Sequence, residues 1–534
     1  MTPKRNHRYF WLFALFALFL SVFACNFPTT VMPTPSIPVT ETVASIQTLL
    51  FPTNTPAIPT PPPTQAYQPV FDPAECAFPV PVGYRVYCGY LVVPENRTIP
   101  NSATIQLHVA VFQSYAEGPD PDPVVHLAGG PGSSSLDVAG YLLGQGLDTI
   151  LERRDFILFD QRGTGYSLPR LDCPERSALT PILLSGTLSD DESFQAILDA
   201  FLRCRDRLKA QGINLSTYNS AASAADVNDL RLALGYDQLN LNGDSYGTRL
   251  ALTVMRDFPE AVRSVVLDST YPLEVNLYTT LAPNAERAFN VLFDDCAADP
   301  TCNASYPNLR AVFYNLVEQL NASPRSMSLS VGGVDYPVSL TGDLLIDVLF
   351  GGLYNPVVTA SMPKMLYQIQ NGESSILRNR LSLYFDTSSA QGMGTSVQCA
   401  EEVPFNTMED VYTATQGVQP DIAAFFPGSV RYLFTLCPDW TGIPPDPREN
   451  QPVTSDIPTL ILAGAFDPIT PPAWGKMTAS HLANSYYFEF RGNGHWVTRS
   501  SRCALSITLA FLENPPMPPD SSCHGSLGVL QFVP

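Results

Sequence analysis

Leu239-Asn240-Leu241-Asn242-Gly243-Asp244-Ser245-Tyr246-Gly247-Thr248 reads as a short strand running into G-x-S-x-G and then into a helical pattern through Arg256. The two glycines flank a serine on a tight strand-to-helix turn, where larger side chains would meet neighbouring backbone. Such a turn lifts the hydroxyl clear of a sheet and sets it at a helix N-terminus, so Ser245 is the candidate nucleophile.

A serine hydroxyl is a poor nucleophile until a base takes its proton, and the base needs an orienting carboxylate. On this kind of turn the partners follow in the chain order Ser, acid, His. Of the six histidines, His495 lies in Arg491-Gly492-Asn493-Gly494-His495-Trp496, directly after the last expected strand. Asp467 follows the preceding strand in Gly464-Ala465-Phe466-Asp467-Pro468. His495 is the expected base and Asp467 its expected orienting acid. A tetrahedral intermediate also needs N–H donors at its oxyanion. Tyr246 should supply one, and Gly130 the other, from the loop His126-Leu127-Ala128-Gly129-Gly130-Pro131-Gly132. That loop lacks the Lys and Ser/Thr spacing of a phosphate cradle, and neither an HExxH helix nor a CxxC pair occurs in the chain. Neither a metal nor a cofactor is expected.

Working outward, short runs rich in β-branched and aromatic residues alternate with helical patterns. This is the signature of βαβ units around a mostly parallel sheet with helices on both faces, an α/β fold. Expected strands are 105–112, 124–127, 156–160, 239–242, 262–267, 459–463 and 486–490. A helix over 222–234 puts Val227, Leu230 and Leu234 on one face and stops at Gly235. Between Tyr271 and about Ser455 the alternation gives way to helical patterns such as 285–296 and 309–320. An insertion there leaves the carboxyl ends of strands, over the ligand crevice, and reads as a largely helical cap. The expected organisation is a core over 71–271, a cap over 272–455 and the rest of the core over 456–534.

Ahead of the core, Lys4, Arg5 and Arg8 precede an apolar run over 9–24, the layout of an export signal that is short for a spanning helix. Val22-Phe23-Ala24-Cys25 resembles the lipobox of bacterial lipoproteins, which makes Cys25 the expected lipidation site and 1–25 the signal peptide. A plain secretory signal is the alternative. Residues 26–70, rich in Pro and Thr, read as an extended tether. The expected location is the extracellular face of the cell membrane, lipid-anchored or secreted, and oligomeric state is left open. A net charge of −20 excludes charge-driven binding to nucleic acid or to anionic lipid. Removing Cys25 from 11 cysteines leaves an even ten, which favours disulfides in an exported protein, with sequential pairing the working expectation.

The motifs Leu127 to Gly132, Asp160-Gln161-Arg162-Gly163-Thr164-Gly165, Gly243 to Gly247, Gly464 to Asp467 and Gly494-His495 resemble, in that order, those of the prolyl and tripeptidyl aminopeptidase family of serine peptidases. From Pro458 the chain resembles the C-terminal domain named for the tripeptidyl enzymes. The resemblance implies an α/β-hydrolase fold and an exopeptidase that releases short units from the N-termini of a peptide substrate. It also implies a cap carboxylate for the free amino group. Val397-Gln398-Cys399-Ala400-Glu401-Glu402 resembles the family's Cys-x-acid segment, so Glu401 is the candidate and Glu402 the reserve. Asp160 and Arg162 are expected to pin the glycine loop. Prolyl aminopeptidases carry His where this chain has Ala128, which moves it toward the tripeptidyl branch. An esterase or lipase with the same triad is the alternative enzyme, and a non-catalytic binding lipoprotein the alternative of another class.

Overall fold

The computed structural model describes residues 67–526 and 528–534. The expected signal segment, Cys25 and nearly all of the tether lie outside the described residues. The strands are β1 (Val70–Ala74), β2 (Val86–Pro94), β3 (Thr104–Phe112), β4 (Val124–Leu127), β5 (Phe156–Phe159), β6 (Leu239–Asp244), β7 (Val262–Asp268), β8 (Arg325–Val331), β9 (Val334–Leu340), β10 (Thr459–Gly464) and β11 (Ser485–Phe490). Nine form one sheet in the order β1-β2-β3-β5-β4-β6-β7-β10-β11, and β8 and β9 pair as a separate hairpin. From β5 to β11 all neighbours are parallel, while β1, β2 and β3 are antiparallel.

Helices cover both faces of the sheet, so its central strands are buried throughout: β4, β5 and β10 are largely apolar, whereas β6 carries Asn240, Asn242 and Asp244. Every residue of β4, β5, β6 and β10 is buried. The chain passes from β4 to β5 on one side and returns to β6 on the other. The strand order therefore reverses at β4, and a crevice opens at the carboxyl ends there. Register aligns those ends: Leu127 sits opposite Gly243, Asp244 opposite Asp268, and Leu462 opposite Asp268. The loops after β4, β6, β7 and β10 thus leave the same edge of the sheet.

Between β7 and β10 lie the helices Leu277–Ala298, Leu309–Ala322, Gly342–Gly352, Pro356–Gln370, Gln391–Glu401 and Pro420–Trp440, together with the hairpin. Their core also takes in residues 171–218, which the sequence placed with the sheet. The reason is the apolar face of the helix Asp190–Ala210. Ile197, Phe201, Cys204 and Leu208 turn toward the inserted helices, and Phe201 stacks on Tyr432 at 5.2 Å between ring centroids. Five disulfides close Cys76–Cys88, Cys173–Cys204, Cys296–Cys302, Cys399–Cys437 and Cys503–Cys523, the sequential pairing. Among the described residues no helix is long and apolar enough to cross a membrane.

Candidate active site

Ser245 has φ 54° and ψ −125°, a conformation that costs a residue with a side chain energy unless the surroundings impose it. They do so here. A Cβ on Gly247 would come within 1.8 Å of the Leu127 carbonyl oxygen, and one on Gly243 within 2.5 Å of the Gly247 carbonyl oxygen. Only glycine lets β4, β6 and the helix Tyr246–Asp257 approach this closely. The Ser245 N–H donates to the Asp268 carbonyl at 3.0 Å, which ties the turn to the end of β7. Tyr246 begins the helix, where a backbone N–H has no intrahelical acceptor.

His495 and Asp467 meet after β11 and β10. Nδ1 of His495 lies 2.7 Å from Asp467 Oδ2 and 3.0 Å from Thr470 Oγ1. The Asp467 carboxylate accepts from the N–H groups of Ile469 (3.0 Å) and Thr470 (2.9 Å) and from the Thr470 hydroxyl (2.7 Å). Burial favours the neutral acid, but His495 and these donors outweigh it and hold Asp467 below the usual 3.8. For His495, burial works against the imidazolium. Asp467, then Asp244 and Asp268, outweigh it and hold its pKa above 6.5.

Asp268 is the residue that sequence reasoning missed. While its carbonyl holds Ser245, its carboxylate accepts from Val497 N–H (2.7 Å), Thr498 N–H (2.8 Å) and Thr498 Oγ1 (2.6 Å). Ser269 Oγ accepts from Trp496 N–H at 2.7 Å. One strand end therefore anchors both the serine turn and the chain next to His495. The only signal in the sequence was an acid closing the run Val265-Val266-Leu267-Asp268. The other described histidines hold different positions. His126 Nε2 is 2.9 Å from Asp244 Oδ1, an ion-pair approach outside hydrogen-bond geometry, and its Nδ1 meets Ser135 Oγ at 3.1 Å. His108 accepts from Ala77 N–H, His524 contacts the Glu489 carbonyl, and His481 lies 3.6 Å from Glu274.

Asp160 holds the chain just beyond the glycine loop, accepting from Ser134 Oγ at 2.8 Å and from the Tyr166 and Leu136 N–H groups. Gln161 adds a bond to the Ala128 carbonyl at 2.8 Å. Arg162 does not share this task. It grips Asp226 with two donors, at 2.7 and 2.8 Å, and the Thr217 carbonyl at 2.7 Å, fixing the helix Ser220–Leu234.

Gly130 and Pro131 line a cavity of about 400 Å³ whose other walls come from the cap and residues 176–201. Glu401 and Glu402, the expected amine-binding acids, are not among the lining residues of this cavity. Glu401 accepts from Ser220 N–H, Ser220 Oγ (2.6 Å) and Arg249 Nε (3.1 Å). Glu402 accepts from Arg249 Nη1 (2.7 Å) and Leu277 N–H (3.0 Å). Arg249, fully buried on the helix that follows Ser245, is the one cation that both share. The acid that does line the cavity is Asp386, in a loop that carried no sequence signal.

A family model described as alpha/beta hydrolase fold matches residues 122–339, and one described as TAP-like protein matches residues 424–523. The chain is an α/β hydrolase with a TAP-like C-terminal segment. The TAP-like match begins in the helix Pro420–Trp440, ahead of Pro458. Relatives of this hydrolase include Serine protease Hip1 of Mycobacterium tuberculosis H37Rv, 25% identical and covering 82% of this chain and 86% of that one. Carboxylesterase B of Mycobacterium tuberculosis CDC 1551 is also 25% identical, over 81% and 85%. The tripeptidyl aminopeptidase of Streptomyces lividans is 28% identical over 36% and 37%. The hydrolase is a serine hydrolase, with peptidases prominent among its relatives.

Proposed function

We propose that this hydrolase is an exported serine exopeptidase that releases short units from peptide N-termini. The observation that carries the reading is the joint anchoring of Ser245 and the His495 loop by Asp268, with Asp467 on His495 Nδ1. Nδ1 is engaged by the carboxylate, so Nε2 is the nitrogen that accepts the Ser245 proton. Ser245 Oγ attacks the substrate carbonyl, and the N–H groups of Tyr246 and Gly130 receive the oxyanion. His495 returns the proton to the leaving amine, and water then deacylates the enzyme with His495 again as base. In this reading 272–455 is the cap, and Asp386 rather than Glu401 or Glu402 meets the substrate ammonium. An ammonium removed from water needs a paired acid, and Asp386 is the acidic residue on the cavity wall.

The relatives named for proteolysis favour a peptide substrate. The match to Carboxylesterase B favours an ester-cleaving second reading on the same triad. A panel of free-amino peptides, N-acetylated peptides and small neutral esters decides between them. Equal cleavage of acetylated and free peptides, or cleavage of esters alone, ends the aminopeptidase reading. A fluorophosphonate that fails to label Ser245 ends both. Export and a lipid anchor at Cys25 complete the proposal, supported by the five disulfides. Mass spectrometry of the mature N-terminus tests the anchor, and an unmodified terminus past Cys25 means plain secretion.

A further inference from the structure

Outside the proposed triad, two buried atoms face one another with no other partner among the described residues: His126 Nε2 and Asp244 Oδ1, 2.9 Å apart. Both side chains are almost fully covered, and a buried imidazole or carboxylate left alone is costly, so each holds the other in place. Beside a carboxylate, Nε2 carries the ring proton. Nδ1 meets Ser135 Oγ at 3.1 Å, and Ser135 has no exposed surface. Asp244, His126 and Ser135 therefore form a string of acid, imidazole and hydroxyl whose hydroxyl no substrate can reach.

The string joins segments that the chain order keeps apart. His126 lies in β4 at the base of the glycine loop, and Ser135 lies beyond that loop, next to the Ser134 that bonds Asp160. Asp244 closes β6 directly before Ser245. A Cβ on Gly129 would come within 2.9 Å of Asp244 Oδ2 and 2.8 Å of Ser245 Cβ, so the loop lies hard against the serine turn. The ring of Trp496, next to His495, stacks on His126 with centroids 6.0 Å apart and planes at 24°. One imidazole thus touches the serine turn, the histidine loop and the chain beyond the glycine loop.

The two proposed oxyanion donors come from separate segments, Gly130 from the glycine loop and Tyr246 from the serine turn. Their N–H groups stabilise a developing charge only when both are aimed at the place it will occupy. The pairing of β4 with β6 ends at Leu127 opposite Gly243, before either donor is reached. We propose that His126 is a positioning residue: through Asp244 and Ser135 it fixes the spacing of the Gly130 and Tyr246 N–H groups, and so the stabilisation of the oxyanion. The inference rests on the proposed triad and its oxyanion donors, and adds to them a group that never touches substrate.

The test sets binding of the ground state against binding of a tetrahedral adduct. A neutral ester gives kcat and KM. A trifluoromethyl ketone with the same acyl part gives an inhibition constant, because Ser245 Oγ adds to its carbonyl carbon, the carbonyl oxygen becomes an oxyanion and His495 takes the serine proton. His126→Leu should lower kcat about ten- to a hundredfold, less than the loss of a whole oxyanion donor, with KM nearly unchanged and ketone affinity weakened by the same factor. His126→Gln, which keeps a donor toward Asp244, should recover part of the loss. Ser135→Ala removes a single oxygen and should show the same pattern more weakly, and it decides the matter if the His126 variants do not fold. Parent-like kcat and ketone affinity in Ser135→Ala and in any folded His126 variant overturn the inference. A fall in kcat that leaves ketone affinity intact overturns it as well, since the pair then supports the fold and not the oxyanion. A parent protein whose Ser245 takes no fluorophosphonate refutes the triad and the inference with it, whereas a labelled parent with unaffected variants removes the role of His126 alone.

Discussion

Asp467 and Glu401 are both carboxylates with almost no exposed surface, yet burial ends in opposite protonation tendencies. At Asp467 the cost of burial is overcome by His495 and by three donors from Ile469 and Thr470, and the acid is held ionised. At Glu401 burial and the nearby Glu449 outweigh Arg249 and Ser220, and its pKa is raised. The difference lies in how many acids share each cation. His495 is bonded to one carboxylate, whereas Arg249 must answer Glu401, Glu402 and Glu449. Paired one to one, a buried acid can polarise a base for chemistry. Shared, it ties the cap to the helix that follows Ser245, and burial favours its neutral form.

The largest effect that can break this contrast is loss of the triad. Ser245→Ala or His495→Ala should lower kcat on a neutral ester by about 10⁶, and Asp467→Asn by about 10⁴. Turnover near the parent's in purified Ser245→Ala sinks the assignment. Arg249→Met should instead act on stability, costing about 3–5 kcal/mol in denaturant unfolding because it strands buried acids. A loss below about 1 kcal/mol means that the cluster is not the latch described. Asp386→Asn should weaken kcat/KM for free-amino peptides by about 2–5 kcal/mol, with acetylated peptides nearly unaffected. Equal falls on both substrates remove Asp386 from amine recognition.

A smaller effect is read in the pH profile. The raised pKa of His495 places the acid limb of kcat/KM above 6.5, and Asp244→Asn, which removes one of the carboxylates supporting the imidazolium, should move that limb to lower pH. A limb that stays in place in Asp244→Asn leaves Asp467 and Asp268 as the carboxylates that set the histidine.

The same contrast explains what the sequence could disclose. β5 and β10 are largely apolar runs and β6 ends in the G-x-S-x-G pattern, so the chain order of the loops at the carboxyl ends made Ser245, Asp467 and His495 legible together as candidates. β1 contains Asp72 and Pro73 and is mostly exposed, which hides it from any apolar pattern. The surroundings of Glu401 were hidden for a different reason. Its partner Arg249 lies 152 residues away, and nothing local distinguishes an acid that meets a ligand from one already claimed across the fold. Asp386 and Asp268 acquire meaning only from what the sheet and cap bring beside them.

The smallest expected effect concerns stability against pH, where the two acids should pull in opposite directions. Glu401 has a folded pKa above its ordinary 4.5, so the folded protein keeps a proton that the unfolded chain has released. Its contribution is fully present below 4.5 and is lost as pH rises through the folded value. Asp467 has a folded pKa below 3.8, so its contribution is present above 3.8 and is lost as pH falls through the folded value. Each tenfold difference in proton affinity between the two states is worth about 1.4 kcal/mol. Glu401→Gln should therefore flatten the decline of unfolding free energy from pH 4.5 upward toward neutrality, whatever it does to the absolute level. Asp467→Asn should leave that decline intact and reduce the loss below pH 3.8. Denaturant midpoints measured across pH for the parent and both variants separate the two. Parallel curves for the parent and Glu401→Gln from pH 4.5 to 7 mean that Glu401 stays ionised in the fold, and the distinction between the shared and the one-to-one acid then disappears.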